Sequence, residues 1–274
     1  MRRNQNTDRL RSKGKMIEIS SGQVTTEIRN LFREDEPQAP RCFRVLDGVI
    51  NSGRIFTNHI EKPTWAIAQE PYDNSLYFGG LIDSELMFSA INKLRQVSDV
   101  LVGMWLDDPR LDQLPGDNYY DGRTLEFYHR PIGKSLSKYI ESIPDECKLH
   151  RLDRNLILQT EWGPDDVQFA GGIDAWEKNF LGYCLIQDNE IVAEATVGPP
   201  ALGMYEPGVF TKEAHRKNGY GTIVSARLIQ EIESWGGQTY WNCAKQNFAS
   251  AAIARKLSYR IEKEYRCIAW KKIQ

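Results

Sequence analysis

Apolar and polar positions follow strand and helix periods most clearly in the second half of the chain. In FLGYCLIQDNEIVAEATVG, two runs with strand periodicity flank Asp188-Asn189, a dipeptide that favours a tight turn. This stretch therefore predicts a β-hairpin. GVFT predicts a short strand after it, and the loop KEAHRKNGYG separates that strand from the next periodic segment.

A helical period begins behind this loop. Apolar residues recur every three or four positions, which predicts the buried face of a helix that ends at Gly236-Gly237. The residues on this face are Val224, Leu228, Ile232 and Trp235. Next, QTYWNCA predicts a strand, NFASAAIARKL predicts a helix capped by Asn247, and YRIEKEYRCIAW predicts one or two closing strands.

The first half mixes strand and helix patterns. Strand patterns occur in CFRVLDGVI, RIFTN, TWAIAQ, SLYFGGL, DVLVGMWL and RTLEFYH. Helical patterns occur in EISSGQVTTEIRNLFRE and in DSELMFSAINKLR, where Asp83 or Ser84 is the predicted cap. The sequence shows no repeat of solenoid length. We expect a basic leader over 1–15, a smaller α/β domain over 16–140 and a second domain over 141–274.

Composition narrows the class of protein. The 274 residues are 41% hydrophobic, which is enough to bury a sizeable core. The net charge of -2 conceals a leader of +5 over residues 1–15 and a remainder of about -7, so the body of the chain does not favour nucleic acid. The leader reads as a disordered tail or as sequence ahead of an alternative start at Met16. No apolar run approaches the roughly 18 residues of a membrane span.

Cysteine and histidine usage points to a reducing compartment and away from metal chemistry. The five cysteines are scattered without a CxxC pair, so we expect free thiols in the cytoplasm. The four histidines are isolated and no HExxH motif occurs, so we expect no dedicated metal site.

The loop EAHRKNGYGT carries the strongest chemical signal. It joins a predicted strand to a predicted helix, and a helix N-terminus offers unpaired N–H groups and a positive dipole to a phosphate. Gly219 and Gly221 would let the backbone approach an anion closely. The order RxxGxG matches neither the P-loop, which needs a Lys-Ser/Thr pair, nor the dinucleotide fingerprint GxGxxG. A plain surface turn with incidental basic residues remains the alternative.

This spacing resembles the motif of the GNAT acetyltransferase superfamily, [Q/R]-x-x-G-x-[G/A], with Arg216, Gly219 and Gly221 in the three positions. The hairpin upstream resembles the family's second and third strands. Downstream, NFASAAIARKLSY is similar to the family's NxxSxxLxxKLGF signature, except that Ser258 replaces the usual glycine. Within the superfamily, the chain looks most like the branch that includes zwittermicin A resistance proteins.

The resemblance implies an α+β acyl-CoA N-acyltransferase fold, a mixed and mostly antiparallel sheet with flanking helices, preceded by the smaller α/β domain. It also implies acetyl-CoA as co-substrate, with its pyrophosphate on the glycine loop and its pantetheine arm along the preceding strand. Asn247 would bond the arm of the cofactor, serve as a helix cap, or do both. The implied cofactor residues are Val209, Phe210, Thr211, Arg216, Lys217, Asn218, Gly219, Tyr220, Gly221, Thr222 and Asn247.

The implied reaction is direct acetyl transfer to an amine, which must lose a proton before it attacks. Glu206 lies where relatives of this branch have a glutamate, so it is the expected base or amine-binding carboxylate, with a surface glutamate as the alternative reading. Glu194 is a second candidate. Pro207 predicts a bulged or short strand at this point. Many relatives place a tyrosine as general acid where this chain has Ala254.

Three functions remain open from the sequence. The first is an N-acetyltransferase for a small-molecule amine. The second, favoured by Pro207 and Ala254, is a non-catalytic module that binds or senses CoA. The third is transfer to a protein amine, or from a longer acyl donor. In each case we expect no nucleic-acid or membrane partner, and a homodimer is left open.

Overall fold

The computed structural model describes residues 16–50 and 53–274, so the predicted leader lies outside the described residues. The chain forms two compact units. Unit 1 comprises the described residues up to Thr124 together with Glu264–Gln274, and unit 2 comprises Leu125–Lys263. The compact units divide near residues 124 and 263. The boundary between two domains at residue 140 stays a prediction from the sequence.

The strands of unit 1 share one sheet. Its first five strands are β1 Ile17–Ile19, β2 Arg54–Thr57, β3 Trp65–Gln69, β4 Ser75–Gly80 and β5 Val100–Trp105. Neighbours from β1 to β4 are antiparallel, whereas β4 and β5 are parallel. Two longer strands, β6 Tyr120–Tyr128 and the last strand of the chain, Ile261–Trp270, each contribute residues to both units. The last strand lies antiparallel beside β5 and next to β6.

The helices of unit 1 are α1 Thr26–Arg29, α2 Ala39–Leu46 and α3 Ser84–Leu94. The α3 prediction is confirmed, with Asp83 as its cap, and its buried face packs on the core beside β3 and β5. The prediction of a strand in CFRVLDGVI is wrong, because Pro40 lies in the first turn of α2 and Phe43, Val45 and Leu46 are buried on it. The predicted long first helix is also wrong: EISSGQVTTEIRNLFRE forms β1, a 3₁₀ turn and the four-residue α1.

Unit 2 is built around a hairpin. Its strands are β7 Cys147–Arg151, β8 Leu181–Gln187, β9 Glu190–Val197, β10 Met204–Tyr205, β11 Gly208–Thr211, β12 Gln238–Thr239 and β13 Trp241–Ala244, so the closing strand Ile261–Trp270 is β14. The hairpin of β8 and β9 is confirmed. Asp188 and Asn189 both have positive φ, 49° and 63°, as a type I′ turn requires. One sheet of this unit has the order β11-β9-β8-β7.

The helices of unit 2 pack on its strands. They are α4 Ser137–Ile140, α5 Arg154–Ile157, α6 Gly163–Ala170, α7 Ile173–Asn179, α8 Tyr220–Ser234 and α9 Phe248–Lys256. The predicted helices α8 and α9 are confirmed, and Val224, Leu228 and Ile232 are fully buried against the hairpin. Trp235 was expected on the same face, but it lies at the helix end and is 51% exposed.

Three further observations concern the sequence expectations. All five cysteines are free and buried. Within the described ranges, no helix is long and apolar enough to span a bilayer. In that same part of the chain, no group of three or more His, Cys, Asp or Glu side chains is arranged to hold a metal ion.

Candidate functional site

Two parallel strands of unit 2 meet and then diverge. β10 and β12 pair through Met204–Gln238 and Tyr205–Thr239, and the N–H of Tyr240 donates to the carbonyl of Tyr205 at 2.9 Å. Beyond this point β11 pairs with β9, whereas β13 lies next to β6. We call the opening between β11 and β13 the unit 2 fork. Openings between diverging strand ends are places where α/β folds commonly bind ligands.

Glu206 lies at the base of this fork. It follows the last residue of β10 and is half-buried. The hydroxyl of Tyr240, the first residue after β12, donates to Glu206 Oε2 at 2.6 Å. Pro207 has no N–H and separates β10 from β11, which confirms the short strand expected there. The fold thus places a carboxylate where the two strands part.

Aromatic and acidic side chains surround the Glu206–Tyr240 pair. The ring of Tyr128 stacks on that of Tyr240, with centroids 5.9 Å apart. Burial raises the pKa of Tyr128, and the neighbouring Glu126 carboxylate raises it further. Lys263 Nζ lies 5.7 Å from the centre of the Tyr128 ring. Sequence reasoning missed both tyrosines. The parallel register of β10 and β12 brings Tyr240 to Glu206, and β6, which lies next to β13, brings Tyr128 onto Tyr240.

β11 forms one wall of the fork and lies at an edge of its sheet. It pairs with β9 on one side through Val209–Ala195, Phe210–Glu194 and Thr211–Ala193. Val209 faces the core beneath α8, whereas the Phe210 ring lies 5.8 Å from that of Trp162. A strand at a sheet edge can accept a further extended chain through its main-chain groups.

The glycine loop lies between β11 and α8. Its residues from Arg216 to Gly219 are exposed, and Lys217 and Gly219 have positive φ, 70° and 85°. Nothing lies within 4 Å of the Cβ that a side chain at Gly219 would add, so space is open in front of the helix start. This open, exposed turn at a helix N-terminus fits an anion such as a pyrophosphate.

The two glycines of the motif are required for different physical reasons. Gly219 needs its positive φ, whereas Gly221 is buried at a close approach of three elements. A Cβ at Gly221 would lie 3.0 Å from Thr211 Oγ1 and 3.2 Å from Ile253 Cδ1. Gly219 therefore shapes the loop, and Gly221 allows α8 to pack on β11 and α9.

The side chains of the loop contribute less than their charges suggested. Arg216 Nε donates to the carbonyl of Thr211 at 3.2 Å, so this guanidinium ties the loop to the strand end. Asn218 Nδ2 donates to the carbonyl of His215 at 3.4 Å. Tyr220 and Thr222 are buried, and the hydroxyl of Tyr220 donates to Gln187 Oε1. Tyr220 can therefore offer a ligand only its backbone N–H group. Thr222 offers none, because its N–H donates to the carbonyl of Gly219 at 2.9 Å.

Glu194 has a structural role in this arrangement. Only 1% of its surface is exposed, and its two carboxylate oxygens accept the N–H groups of Glu161 and Trp162 at 3.0 and 3.2 Å. Burial raises its pKa, while these two hydrogen bonds oppose that shift. The bonds hold the start of α6, a helix that the sequence patterns did not predict. The predicted catalytic role of Glu194 gains no support from this geometry.

Asn247 and Ala254 lie on α9. Asn247 Oδ1 accepts the N–H of Ser250 at 3.1 Å, so the predicted cap is confirmed, and its exposed amide group can still donate to a ligand. Ala254 is fully buried against the core. Tyr259 is a core residue, as expected, and its hydroxyl lies 2.6 Å from that of buried Thr239. Neither Ala254 nor Tyr259 supplies an acid at the fork.

Solved structures show the same fold. A GCN5-related N-acetyltransferase-like protein from Streptococcus suis 89/1591 is 19% identical, with a TM-score of 0.70 over 91% of this chain and 100% of that one. A protein described as a tandem GNAT protein from the clavulanic acid biosynthesis pathway is 9% identical, with a TM-score of 0.61 over 95% of this chain and 99% of that one. At these identities the likeness concerns the fold alone.

Sequence comparison gives the family. An uncharacterized N-acetyltransferase of Bacillus subtilis strain 168, YdfB, is 24% identical over 160 residues, and the match spans 58% of this chain and 60% of that protein. The model of the family described as GNAT acetyltransferase matches residues 29–268, which is most of the chain. The chain therefore belongs to the GNAT acetyltransferase family.

Proposed function

We propose that the unit 2 fork binds acetyl-CoA and that the protein transfers the acetyl group to the amine of a small molecule. The observation that carries this proposal is the divergence of two parallel strands at Glu206, beside an edge strand that leads into an open glycine loop. The proposal places a donor site and a proton acceptor in one opening.

The residues that would hold the cofactor follow from the geometry. Backbone N–H groups from Lys217 to Gly221 would bind the pyrophosphate, with Lys217 adding positive charge. The N–H groups of Arg216 and Thr222, which the sequence also placed in the cradle, already donate to the carbonyls of Glu213 and Gly219. The exposed edge of β11, from Val209 to Thr211, would pair with the pantetheine arm, and the Asn247 amide could donate to the same arm. When bound, acetyl-CoA supplies an acetyl thioester.

The chemistry left to the protein is proton transfer. An alkylamine is protonated at neutral pH and attacks only after it loses a proton. The Glu206 carboxylate would take this proton, directly or through a water molecule. The hydroxyl of Tyr240 would fix the orientation of that carboxylate.

A binding-only module is the second candidate. The observation that favours it is the complete burial of Ala254, at the position where many relatives have a tyrosine that acts as general acid. The narrower assignment to the branch of zwittermicin A resistance proteins remains a prediction from sequence phrases. Transfer to a protein amine, or of a longer acyl group, remains open as well.

One experiment separates these functions. The protein is incubated with acetyl-CoA and a panel of small amines, and release of free thiol is followed, while thermal shift with CoA reports binding. Stabilisation by CoA together with thiol release is the expected result. Stabilisation without turnover on any amine would favour the binding-only module, and absence of stabilisation would contradict both.

The site assignment has a matched pair of variants on one helix. Gly219→Trp should abolish the stabilisation by CoA, because its ring would fill the open space in front of α8. Gly236→Trp is the control at the other end of α8, where φ is 83° and nothing lies within 4 Å of an added Cβ. Both variants impose a similar backbone strain, so only a CoA site at Gly219 predicts different binding.

A further inference from the structure

The first turn of α6 crosses β9 and β11 at one register pair. Asp166 lies one helical turn after Trp162, so the two side chains share a face of α6. Thr196 on β9 pairs with Gly208 on β11. Thr196 Oγ1 donates to Asp166 Oδ2 at 3.0 Å. A Cβ at Gly208 would lie 3.2 Å from Trp162 Cζ3 and 3.8 Å from Thr196 Oγ1. The Asp166 carboxylate therefore lies over β9, and the Trp162 ring lies beside it over β11.

This crossing lies on the face of the sheet opposite to α8. Val209 packs beneath α8, and successive residues of a strand point to opposite faces. Gly208 and Phe210 therefore face α6, where the Phe210 ring lies 5.8 Å from that of Trp162. Both rings are half-buried. They form an apolar wall next to the Asp166 carboxylate.

The crossing is close to the proposed base. Gly208 follows Glu206 by two residues, and Thr196 lies opposite Gly208. Thr196 is thus offset from Glu206 by one strand spacing and two residues, or about 8 Å. Glu194 fixes the start of α6 at this place, because its carboxylate accepts two N–H groups there. A pinned helical turn therefore carries Asp166 near the residue that would receive the reacting amine.

Asp166 carries a charge that the fold does not balance. Its side chain is half-buried, and within the described ranges no cation lies at ion-pair distance from it and Oδ1 has no hydrogen-bond partner. Burial raises the pKa of Asp166 to about 6; the hydrogen bond from Thr196 opposes this shift, and the Asp165 carboxylate adds to it. A carboxylate that served only the helix dipole would have a lowered pKa. An anion with an open oxygen and no counter-ion is matched by a cation from outside the chain.

We propose that Asp166 binds a second, distal ammonium group of the acceptor, so that the substrates are alkyl diamines. One amine would lie at Glu206 and the other at Asp166, with the alkyl chain against the rings of Trp162 and Phe210. The inference rests on the proposed acetyl transfer, because it uses Glu206 for the reacting amine. 1,5-Diaminopentane has about the length of the offset between Glu206 and Thr196 and is therefore the probe of choice.

The indole of Trp162 provides a local probe of binding that does not require turnover. The full chain is labelled with indole-¹⁵N tryptophan, the Trp162 signal is assigned with Trp162→Phe, and 1,5-diaminopentane dihydrochloride is titrated in the presence of CoA. We expect a saturable shift of the Trp162 indole signal. 5-Amino-1-pentanol hydrochloride, which has a hydroxyl in place of the distal ammonium, should bind at least about tenfold more weakly.

Variants identify the counter-ion through the ratio of the two affinities. Asp166→Asn keeps an oxygen for the hydroxyl of Thr196 but removes the charge, so it should bind the diamine and the amino alcohol equally. Asp165→Asn, at the exposed neighbouring position of α6, should keep the tenfold preference. Glu206→Gln should weaken both ligands alike and leave their ratio unchanged, which separates the role of Asp166 from that of the proposed base.

Thermal unfolding separates recognition from a structural role. Because the pKa of Asp166 is raised in the folded protein, its ionised form lowers stability, and this cost is fully present above about pH 6. Asp166→Asn should therefore raise Tm at pH 8 while it removes the preference for the diamine. A lower Tm or a failure to fold in this variant would overturn the inference, as would a retained preference.

The wild type alone also tests the inference, separately from acetyl transfer. No saturable shift of the Trp162 signal, or equal binding of the two ligands, would overturn it. Release of thiol on amines without preference for the diamine would overturn it as well, while the proposed function stands. A preference in the titration without release of thiol would support diamine binding at Asp166 and contradict the transfer reaction.

Discussion

Unit 1 also has two parallel strands that pair briefly and then part: β4 and β5 pair only through Ser75–Leu101 and Leu76–Val102, as β10 and β12 do over two residues in unit 2. We call this opening the unit 1 fork. The two forks differ in the segment that leads from the fork into the next helix. In unit 1, residues 81–83 lead directly from β4 into α3, and the N–H groups of Leu81 and Ile82 donate to carbonyls of the same unit. In unit 2, the longer connection over residues 212–219 ends in an exposed turn with positive φ. One arrangement of strands and helix therefore supports either a closed packing joint or an open anion site.

The difference lies in a few residues rather than in the architecture. Unit 1 has Asp83 at its helix start and Tyr77 at the fork, whereas unit 2 has Gly219 and Glu206 at the corresponding places. A carboxylate at the helix start stabilises the helix but excludes phosphate, and a carboxylate at the fork can take a proton. Unit 1 thus has its acidic side chain at the helix start, whereas unit 2 has it at the fork.

The largest expected effect comes from the fork residue of unit 2. Glu206→Gln keeps the shape of the side chain but removes the proton acceptor, so kcat for acetyl transfer should fall about 100-fold or more. Steady-state thiol release with saturating acetyl-CoA measures this change, and thermal shift with CoA should stay as in the wild type.

Tyr77→Phe is the control at the equivalent fork position of unit 1. It removes a buried hydroxyl that bonds to Gln38 and should lower the thermal stability while leaving kcat unchanged. Equal losses of kcat in both variants would mean that Glu206 acts through stability, and full activity in Glu206→Gln would remove it as the base.

A smaller effect is expected at Tyr240. Its hydrogen bond of 2.6 Å to Glu206 holds a carboxylate that is only half-buried. Tyr240→Phe should reduce kcat about tenfold, the loss expected for one hydrogen bond to a charged group, while KM for acetyl-CoA stays constant. A change in KM alone would show that Tyr240 supports the cofactor wall rather than the base. Tyr205→Phe serves as the control, because Tyr205 is the tyrosine of β10 that pairs with Thr239, the residue before Tyr240.

The sequence predicted the open fork better than the closed one. The hairpin, the glycine loop and both flanking helices of unit 2 have local signals: Asp188-Asn189 in the turn, Gly219 at the loop and Asn247 as a cap. Unit 1 has fewer such signals. The apolar residues of CFRVLDGVI fit either a strand or a helix, and only burial of one helical face decides for α2.

Long-range register explains what the sequence could not supply. Tyr240 is 34 residues from Glu206 along the chain, and they meet because β10 and β12 are parallel. The same holds for the cap that Glu194 provides to α6 across 33 residues. Each unit has a pair of parallel strands joined through a helix, and this likeness is likewise invisible as a sequence repeat, because it preserves topology and not side chains.

The smallest expected effect tests the closed helix start of unit 1. Asp83→Ala removes the cap of α3 and should lower the free energy of unfolding by about 1 kcal/mol, which corresponds to a fall in Tm of roughly 3 °C. It should not alter the affinity for CoA, because the N–H groups of Gly80, Leu81 and Ile82 remain bonded to carbonyls. Thermal unfolding with and without CoA measures both quantities, and Asp107→Ala, at an exposed position of the same unit, is the control. A second CoA bound per chain in Asp83→Ala would show that the cap alone closes this fork, and that the backbone bonds around Gly80 yield to a phosphate.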